Sequence, residues 1–259
     1  MNKAPAYTPK EIMTIMAARE IKNNDIVFSG TGISMLAAMA AKKINAPDSV
    51  IFFETGAMDS LLEEIPFAVA DPRIMYRAAA NSSLADAFAT MQNRITGDKV
   101  IAVLGAAQID IYGNLNTTCI GDYESPRIRF PGSGGGCDVL SFVPRCIAFM
   151  QHERQKFVRK LDYLTSPGQL AGGDTRKKAG LRPGGVSIVV TNLGVMRFDK
   201  DTGRMYLDKF YPGITQDDIL SNTEFKMDVS KASEADPPTE TELKILREDC
   251  DPQRLILGP

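Results

Sequence analysis

The sequence predicts an open α/β fold, a mostly parallel sheet with helices on both faces, of the Rossmann type. Three observations lead there. A complete strand, glycine turn, helix and strand unit lies between Asp25 and Phe53; short apolar strands recur between helix-spaced segments further on; and Glu54 stands at a strand end where such sheets hold their ligands.

The elements follow in order. Thr8 to Lys22 carries Ile12, Met13, Ile15, Met16, Ala17 and Ile21 at helical spacing, with Thr8 as cap and Pro9 in the first turn. Asp25 to Ser29 is a short strand running into Gly30-Thr31-Gly32 and a helix over Ser34 to Lys43, followed by the strand Val50 to Phe53. A short helix is expected over Ser60 to Ile65, and one running to about Asn93 behind a cap at Asn81 and Ser82. Lys99 to Leu104 is a strand, Tyr112-Gly113-Asn114 a turn, Asp138 to Ser141 a helix start and Arg145 to Met150 a strand. Phe157 to Leu164 reads as a strand or edge segment, and Gln169 to Lys178 as an exposed loop. Val186 to Thr191 and Arg204 to Phe210 are strands, the second reached through a hairpin turn at Asp199 to Gly203. Thr215 to Leu220 starts a helix, Ser233 to Pro238 is a polar tail and Thr239 to Glu248 a last helix. No internal repeat or linker interrupts the chain, so residues 1–259 are expected to form a single domain.

Composition excludes several function classes. The 259 residues are 44% hydrophobic, enough for an ordinary core. With 30 basic against 32 acidic residues and a pI near 5.6, no electrostatic footprint for nucleic acid or a membrane surface is present. Cys119, Cys137, Cys146 and Cys250 form no CxxC pair, which points away from a disulfide framework or structural zinc and toward a reducing, cytoplasmic compartment. Met1-Asn2-Lys3-Ala4-Pro5 leads into a charged helix without an apolar signal core, and no stretch reaches the ~18 apolar residues that span a bilayer. The only histidine, His152, cannot by itself supply a multi-histidine metal site, and no Ser or Cys lies in a nucleophile elbow, so no metal site is expected. A carboxylate is the obvious nucleophile.

Ser49-Val50-Ile51-Phe52-Phe53 is an unbroken apolar run, read as a strand buried on both faces, and Glu54 follows it before Thr55-Gly56. The bland alternative for Glu54 is a solvent-exposed strand-end carboxylate or a helix cap. Gly30-Thr31-Gly32 lacks the third glycine of a dinucleotide fingerprint and reads better as a closely packed pocket floor. Pro131-Gly132-Ser133-Gly134-Gly135-Gly136-Cys137-Asp138 would let bare amides face an anion or carbonyl oxygen; its alternative is a flexible linker. Cys137 reads as packing, and the basic stretch His152 to Lys160 as a solvated face.

The ordered set of motifs resembles one family across nearly the whole chain: Glu54-Thr55-Gly56; Ala107-Gln108-Ile109-Asp110 with Gly113-Asn114-Leu115-Asn116-Thr117; Gly132 to Asp138; His152-Glu153 with Phe157-Val158; Thr165-Ser166-Pro167-Gly168; and Tyr211-Pro212-Gly213-Ile214-Thr215. The family is that of the beta subunits of family I CoA-transferases, of the glutaconate CoA-transferase type. The resemblance implies a CoA-transferase, NagB-like variant of the open α/β fold and an active site shared with an alpha subunit, in a heterotetramer or heterooctamer. It further implies that Glu54 attacks an acyl-CoA thioester, passing through a mixed anhydride to a glutamyl-CoA thioester from which a carboxylic acid takes the CoA. Gly134 and Gly135 match the oxyanion amides; Gly136 alongside, with Gly30 and Gly32, are the expected coenzyme A contacts. Coenzyme A is then a co-substrate, and no permanently bound cofactor is implied. Relatives on the same scaffold without the glutamate hydrolyse or cleave CoA thioesters or C–C bonds. The rival functions are therefore a CoA-thioester hydrolase or lyase, such as a decarboxylase or ring-opening hydrolase, and a non-catalytic CoA-ester-binding subunit. Thr55 and Cys137 depart from the Ser and Asn familiar in glutaconate enzymes, which leaves the acyl group open.

Overall fold

The computed structural model describes residues 7–258, so the opening Met1–Pro5, read above for a signal core, lies outside them. The chain divides into two compact units. One runs to Ala87 and takes up the segment from Asp236 onward; the other is Phe88–Ala235.

In the first unit, α1 (Pro9–Ala18) begins as predicted. The Thr8 hydroxyl accepts from the Glu11 amide at 3.3 Å and the Glu11 carboxylate accepts from the Thr8 amide at 2.7 Å, closing a capping box. The helix stops short of Lys22 because the chain must turn back: the Asp25 carboxylate accepts from the Lys22 amide at 2.7 Å and Asn24 adopts φ 68°. β1 (Ile26–Ser29), α2 (Ile33–Ile44) and β2 (Val50–Phe52) form the predicted unit, with β1 and β2 parallel from Ile26 opposite Val50 to Phe28 opposite Phe52. α2 buries every residue from Ser34 to Ala41, so its small side chains let it lie close to its neighbours. β3 (Ala57–Met58) and β4 (Ala80–Asn81) then extend the sheet antiparallel. No helix forms over Ser60 to Ile65, contrary to the sequence expectation. The Ser60 hydroxyl bonds the Ile74 carbonyl and the Leu61 amide bonds the Tyr76 carbonyl at 3.2 Å, tying the start of the segment to distant chain, while the Glu63 amide reaches only two residues back to the Leu61 carbonyl at 3.0 Å, a spacing no helix uses.

The helix predicted behind Asn81 and Ser82 is α3 (Leu84–Gln92), but Ser83 caps it, its hydroxyl accepting from the Asp86 amide at 3.2 Å. In the second unit follow α4 (Arg94–Gly97), β5 (Val100–Gly105), a small hairpin of β6 (Gln108–Ile109) with β7 (Leu115–Asn116), and a second of β8 (Cys119–Gly121) with β9 (Pro126–Arg129). Next come α5 (Gly136–Phe142), β10 (Arg145–Phe149), α6 (Thr175–Lys178), β11 (Val186–Val190), β12 (Gly194–Phe198), β13 (Met205–Phe210), α7 (Gln216–Ser221) and β14 (Ser233–Glu234). The strands order as β14-β13-β12-β11-β10-β5. β5, β10 and β11, joined by long connections carrying helices, pair parallel; β11, β12 and β13, joined by short turns, pair antiparallel. The fold is thus α/β with a large, mixed sheet whose helix-connected strands are parallel, as the sequence predicts.

Three expectations for this unit need correction. Phe157 to Leu164 is not a strand; Phe157 makes one isolated bridge to Ile109 and its ring is fully buried. Gln169 to Lys178 is not an exposed loop, because it contains α6 and the buried side chain of Arg176. The polar tail from Ser233 pairs with Lys209 and Phe210, and Ala235 is buried.

The chain closes in the first unit with α8 (Glu240–Lys244), capped by a Thr239–Glu242 box and continued by a π-helical turn over Ile245–Cys250. Three ion pairs fasten this end to α1: Arg247 donates to the fully buried Glu11 at 2.7 and 2.9 Å, Arg254 lies 3.7 Å from the same carboxylate, and Arg19 donates to Glu242 at 2.8 and 2.7 Å. Burial alone would raise the Glu11 carboxyl, yet the bonds from Arg247 and Thr8 hold it below the ordinary range. No helix among the described residues is long and apolar enough to cross a membrane.

Candidate active site

Glu54 lies in the tight turn that joins β2 to β3. The Gly56 amide donates to the Phe53 carbonyl at 3.0 Å and the Phe53 amide to the Ala57 carbonyl at 3.0 Å, so Glu54 and Thr55 are the two residues at the apex. Phe52 and Phe53 anchor the base of the turn in the core, at 1% and 0% exposure. Gly56 is demanded twice over. Its φ is +97°, and a Cβ there would lie 2.2 Å from the Ser82 carbonyl oxygen, because the Ser82 amide and hydroxyl both donate to the Gly56 carbonyl, at 2.9 and 3.1 Å. Asp59, on the far side of β3, pairs with Lys42 of α2, and its amide donates to the Ile51 carbonyl at 2.7 Å. The turn is therefore fixed through its backbone and flanks.

The Glu54 side chain itself is half-buried and, among the described residues, has no ion-pair or hydrogen-bond partner. Capping a helix and pairing with a cation are thus both set aside for it. Beside it, the Thr55 hydroxyl oxygen is buried with no hydrogen-bond partner among the described residues, a polar group left unsatisfied at the apex. In the sequence Thr55 stands out only as a departure from the family pattern.

The glycine run is an ordered loop entering α5, and not a linker. Ser133 engages two of its amides: the Ser133 carbonyl accepts from Gly136 at 2.8 Å and its hydroxyl from Cys137 at 3.0 Å. The amides of Gly134 and Gly135 have no acceptor among the described residues. Gly134 adopts φ +48°, a backbone that side chains disfavour, whereas Gly135 has φ −80° and is buried. These two N–H groups, together with that of Ser133, are consequently the available donors between the bonded Gly132 and Gly136 amides. The Gly136 amide is occupied, so only its bare Cα remains to face a ligand, and a Cβ there would come 3.1 Å from the Ser166 hydroxyl.

The start of the loop is braced from below. Gly132 exchanges two bonds with Thr117, its amide donating to the Thr117 carbonyl at 3.1 Å and its carbonyl accepting from the Thr117 hydroxyl at 2.8 Å. The Thr117 amide in turn donates to the Thr165 hydroxyl at 2.9 Å, and Thr165 shares a 2.7 Å hydrogen bond with Thr118. Asn116, fully buried, bonds Gln108 and the Cys119 carbonyl at 2.8 and 2.7 Å. The motif residues Gln108, Asn114, Asn116, Thr165 and Ser166 are thus a buried polar lattice under the loop.

Gly30 and Gly32 lead from β1 into α2. The expected close backbone packing is not found, since a Cβ at either position meets nothing within 4 Å. Two further readings are corrected. Cys137 is exposed, being on the outer side of the first turn of α5, and is not packing. His152 does not belong to a solvated face: at 3% exposure it stacks on Phe157 at 3.9 Å and 5°, its Nε2 lies 2.9 Å from the Thr223 hydroxyl, and burial pulls its pKa down to about 4. All four cysteines are free, and no group of three or more His, Cys, Asp and Glu among the described residues could hold a metal.

Known proteins resemble the chain over nearly its whole length. The family profile of Coenzyme A transferase matches residues 10–222. The chain is 41% identical over 256 residues to the glutaconate CoA-transferase B-subunit of Acidaminococcus fermentans, covering 97% of this chain and 95% of that one. It is 32% identical over 244 residues to the 3-oxoadipate CoA-transferase B-subunit of Pseudomonas knackmussii, covering 93% of each. The crystal structure of glutaconate coenzyme A-transferase from Acidaminococcus fermentans superposes with a TM-score of 0.94 at 38% identity, over 99% of this chain and 100% of that one. By profile, sequence and fold together, the chain belongs to the coenzyme A transferase family.

Proposed function

We propose that the chain is the catalytic beta-type subunit of a heteromeric CoA-transferase, with Glu54 as its nucleophile. The observation that carries this reading is the unpartnered, half-buried Glu54 carboxylate at the apex of a turn whose backbone is fixed on both sides. A carboxylate is a weak nucleophile toward a thioester in water, and a defined position without a neutralising partner is what raises its competence.

A Glu54 oxygen attacks the acyl-CoA carbonyl carbon; the C–S bond breaks and CoA thiolate leaves, giving a mixed anhydride. The thiolate then attacks the Glu54 carbonyl carbon and expels the donor acid as carboxylate, leaving a glutamyl-CoA thioester. An acceptor carboxylate repeats the sequence in reverse, so that Glu54 returns as carboxylate and no water is consumed. The Gly134 and Gly135 amides are the proposed donors to the tetrahedral oxyanions, where one such donor is worth about 3 kcal/mol of barrier. Gly30, Gly32 and Gly136 are proposed to border the coenzyme A co-substrate. The family match, residues 10–222, runs through parts of both compact units. The partner is an alpha-type subunit, a reading supported by the two relatives being named B subunits, and the assembly we propose is a heterotetramer or heterooctamer working in the cytoplasm.

The test is exchange kinetics of the complex with its alpha subunit. Double displacement with an obligatory carboxylate acceptor, lost in Glu54→Gln, is the expected outcome. Release of free CoA at full rate without any acceptor would instead assign the complex to thioester hydrolysis.

A further inference from the structure

Arg176 is read from sequence as part of an exposed basic loop, yet it is 4% exposed and no carboxylate is among its partners. Its guanidinium donates only to backbone carbonyls: Nε to Arg182 at 2.7 Å, Nη1 to Pro167 and Gly168 at 2.9 and 2.8 Å, and Nη2 to Leu140 and Ser141 at 2.5 and 3.5 Å. Burying a cation without a counter-charge is costly, and here the burial shifts its pKa downward, so its retention calls for a specific task. Five carbonyl dipoles from three separate segments offset that cost.

The partners identify the task. Leu140 and Ser141 are in the last turn of α5, whose carbonyls have no intrahelical donor, and α5 begins at the glycine run. Pro167 and Gly168 follow Thr165, which braces Thr117 and through it Gly132, and Ser166, which lies against Gly136. One guanidinium therefore joins the far end of α5 to the strand of chain that holds both the beginning and the end of the glycine loop.

We propose that Arg176 is a positioning residue that fixes the Gly134 and Gly135 amides by clamping α5 to the 165–168 segment. This rests on the reading of those amides as oxyanion donors. Lysine cannot replace it, because a single ammonium cannot present the planar fork to carbonyls on three segments.

The experiment uses the complete complex carrying Arg176→Ala, Arg176→Lys or Gly135→Pro. Proline deletes one proposed donor at a position whose φ of −80° it tolerates. Arg176→Ala is expected to lower kcat for transfer by about 10- to 100-fold with the acyl-CoA KM within a few-fold, as loosened donors would. Added methylguanidinium is expected to restore a substantial part of that loss, and Arg176→Lys to remain impaired. If the alanine variant fails to assemble, the lysine variant, which keeps the charge, carries the same kcat-against-KM comparison. The proposal is overturned if the assembled Arg176 variants keep kcat within twofold, or if kcat and KM worsen together without rescue, while Gly135→Pro is strongly impaired. Full activity in Gly135→Pro would overturn the oxyanion reading itself.

Discussion

The Glu54 turn and the glycine run are immobilised in opposite ways. Around Glu54 the chain is held by bonds to its backbone, from Ser82 to Gly56 and from Phe53 to Ala57, and the two apex side chains are left unbonded. The glycine run has almost no side chains of its own, so Thr117, Thr165 and Arg176 brace it from outside and Ser133 from within, leaving the amides of residues 133–135 free between occupied ones. A nucleophile must be placed without being neutralised, whereas donors must be rigid so that no reorganisation is needed when charge develops. The contrast is between a free side chain on a fixed backbone and free backbone groups held by fixed side chains.

The sharpest way to break that contrast is Gly56→Ala. Its Cβ would run into the Ser82 carbonyl at 2.2 Å in a left-handed backbone, so either the turn or the 80–83 segment must move. A loss of more than about 4 kcal/mol in urea unfolding is expected. Transfer activity should fall together with it. Native stability and turnover in this variant would show that the turn is not fixed through Gly56.

Acid separates the two units next. His152 is neutral when folded, with its pKa pulled from 6.5 to about 4, so the unfolded chain takes up the proton first. The stability it contributes is complete above pH 6.5 and disappears as pH falls toward 4, amounting to about 3 kcal/mol. In the first unit Glu11 and Glu242 are shifted below the ordinary carboxyl value of 4.5, so their contribution is intact above that value and is lost only at more acid pH. Hydrogen exchange between pH 7 and 4 should thus show protection decaying first in Phe88–Ala235, and His152→Gln should flatten that decay. Equal loss in both units over this window would contradict the assignment.

Much of this organisation was legible in the sequence wherever its cause is local. Thr8 with Glu11 marks a helix start, the run from Val50 to Phe53 marks a buried strand, and Glu54 before Gly56 marks its exit. The missed features depend on distant chain. Nothing near Arg176 reveals that carbonyls at 140, 141, 167, 168 and 182 surround it, and three basic residues in a row look like a solvated stretch. Segment 60–65 has helix-compatible residues, but the Ser60 hydroxyl and the Leu61 amide bond to carbonyls at 74 and 76. The free amides of Gly134 and Gly135 could be anticipated as a class, but which amides Ser133 would occupy could not.

Smaller effects refine the comparison. Gly136→Ala places a Cβ 3.1 Å from the Ser166 hydroxyl and should cost about 1 kcal/mol, most of it recovered in the double variant with Ser166→Gly. Thr55→Val replaces a buried hydroxyl that has no partner among the described residues, and should leave stability unchanged or raise it by up to about 1 kcal/mol. A clear destabilisation there would mean that the hydroxyl is bonded after all.

The central claim is that the Glu54 carboxylate carries CoA between donor and acceptor. Its most direct test is to incubate the complex with acyl-CoA in the absence of acceptor, treat with borohydride or hydroxylamine, and map the modified peptide by mass spectrometry. A single modification at Glu54, dependent on acyl-CoA and absent in Glu54→Gln, is the predicted result. An active complex whose Glu54 stays unmodified, or a Glu54→Gln variant that still transfers CoA, would contradict it.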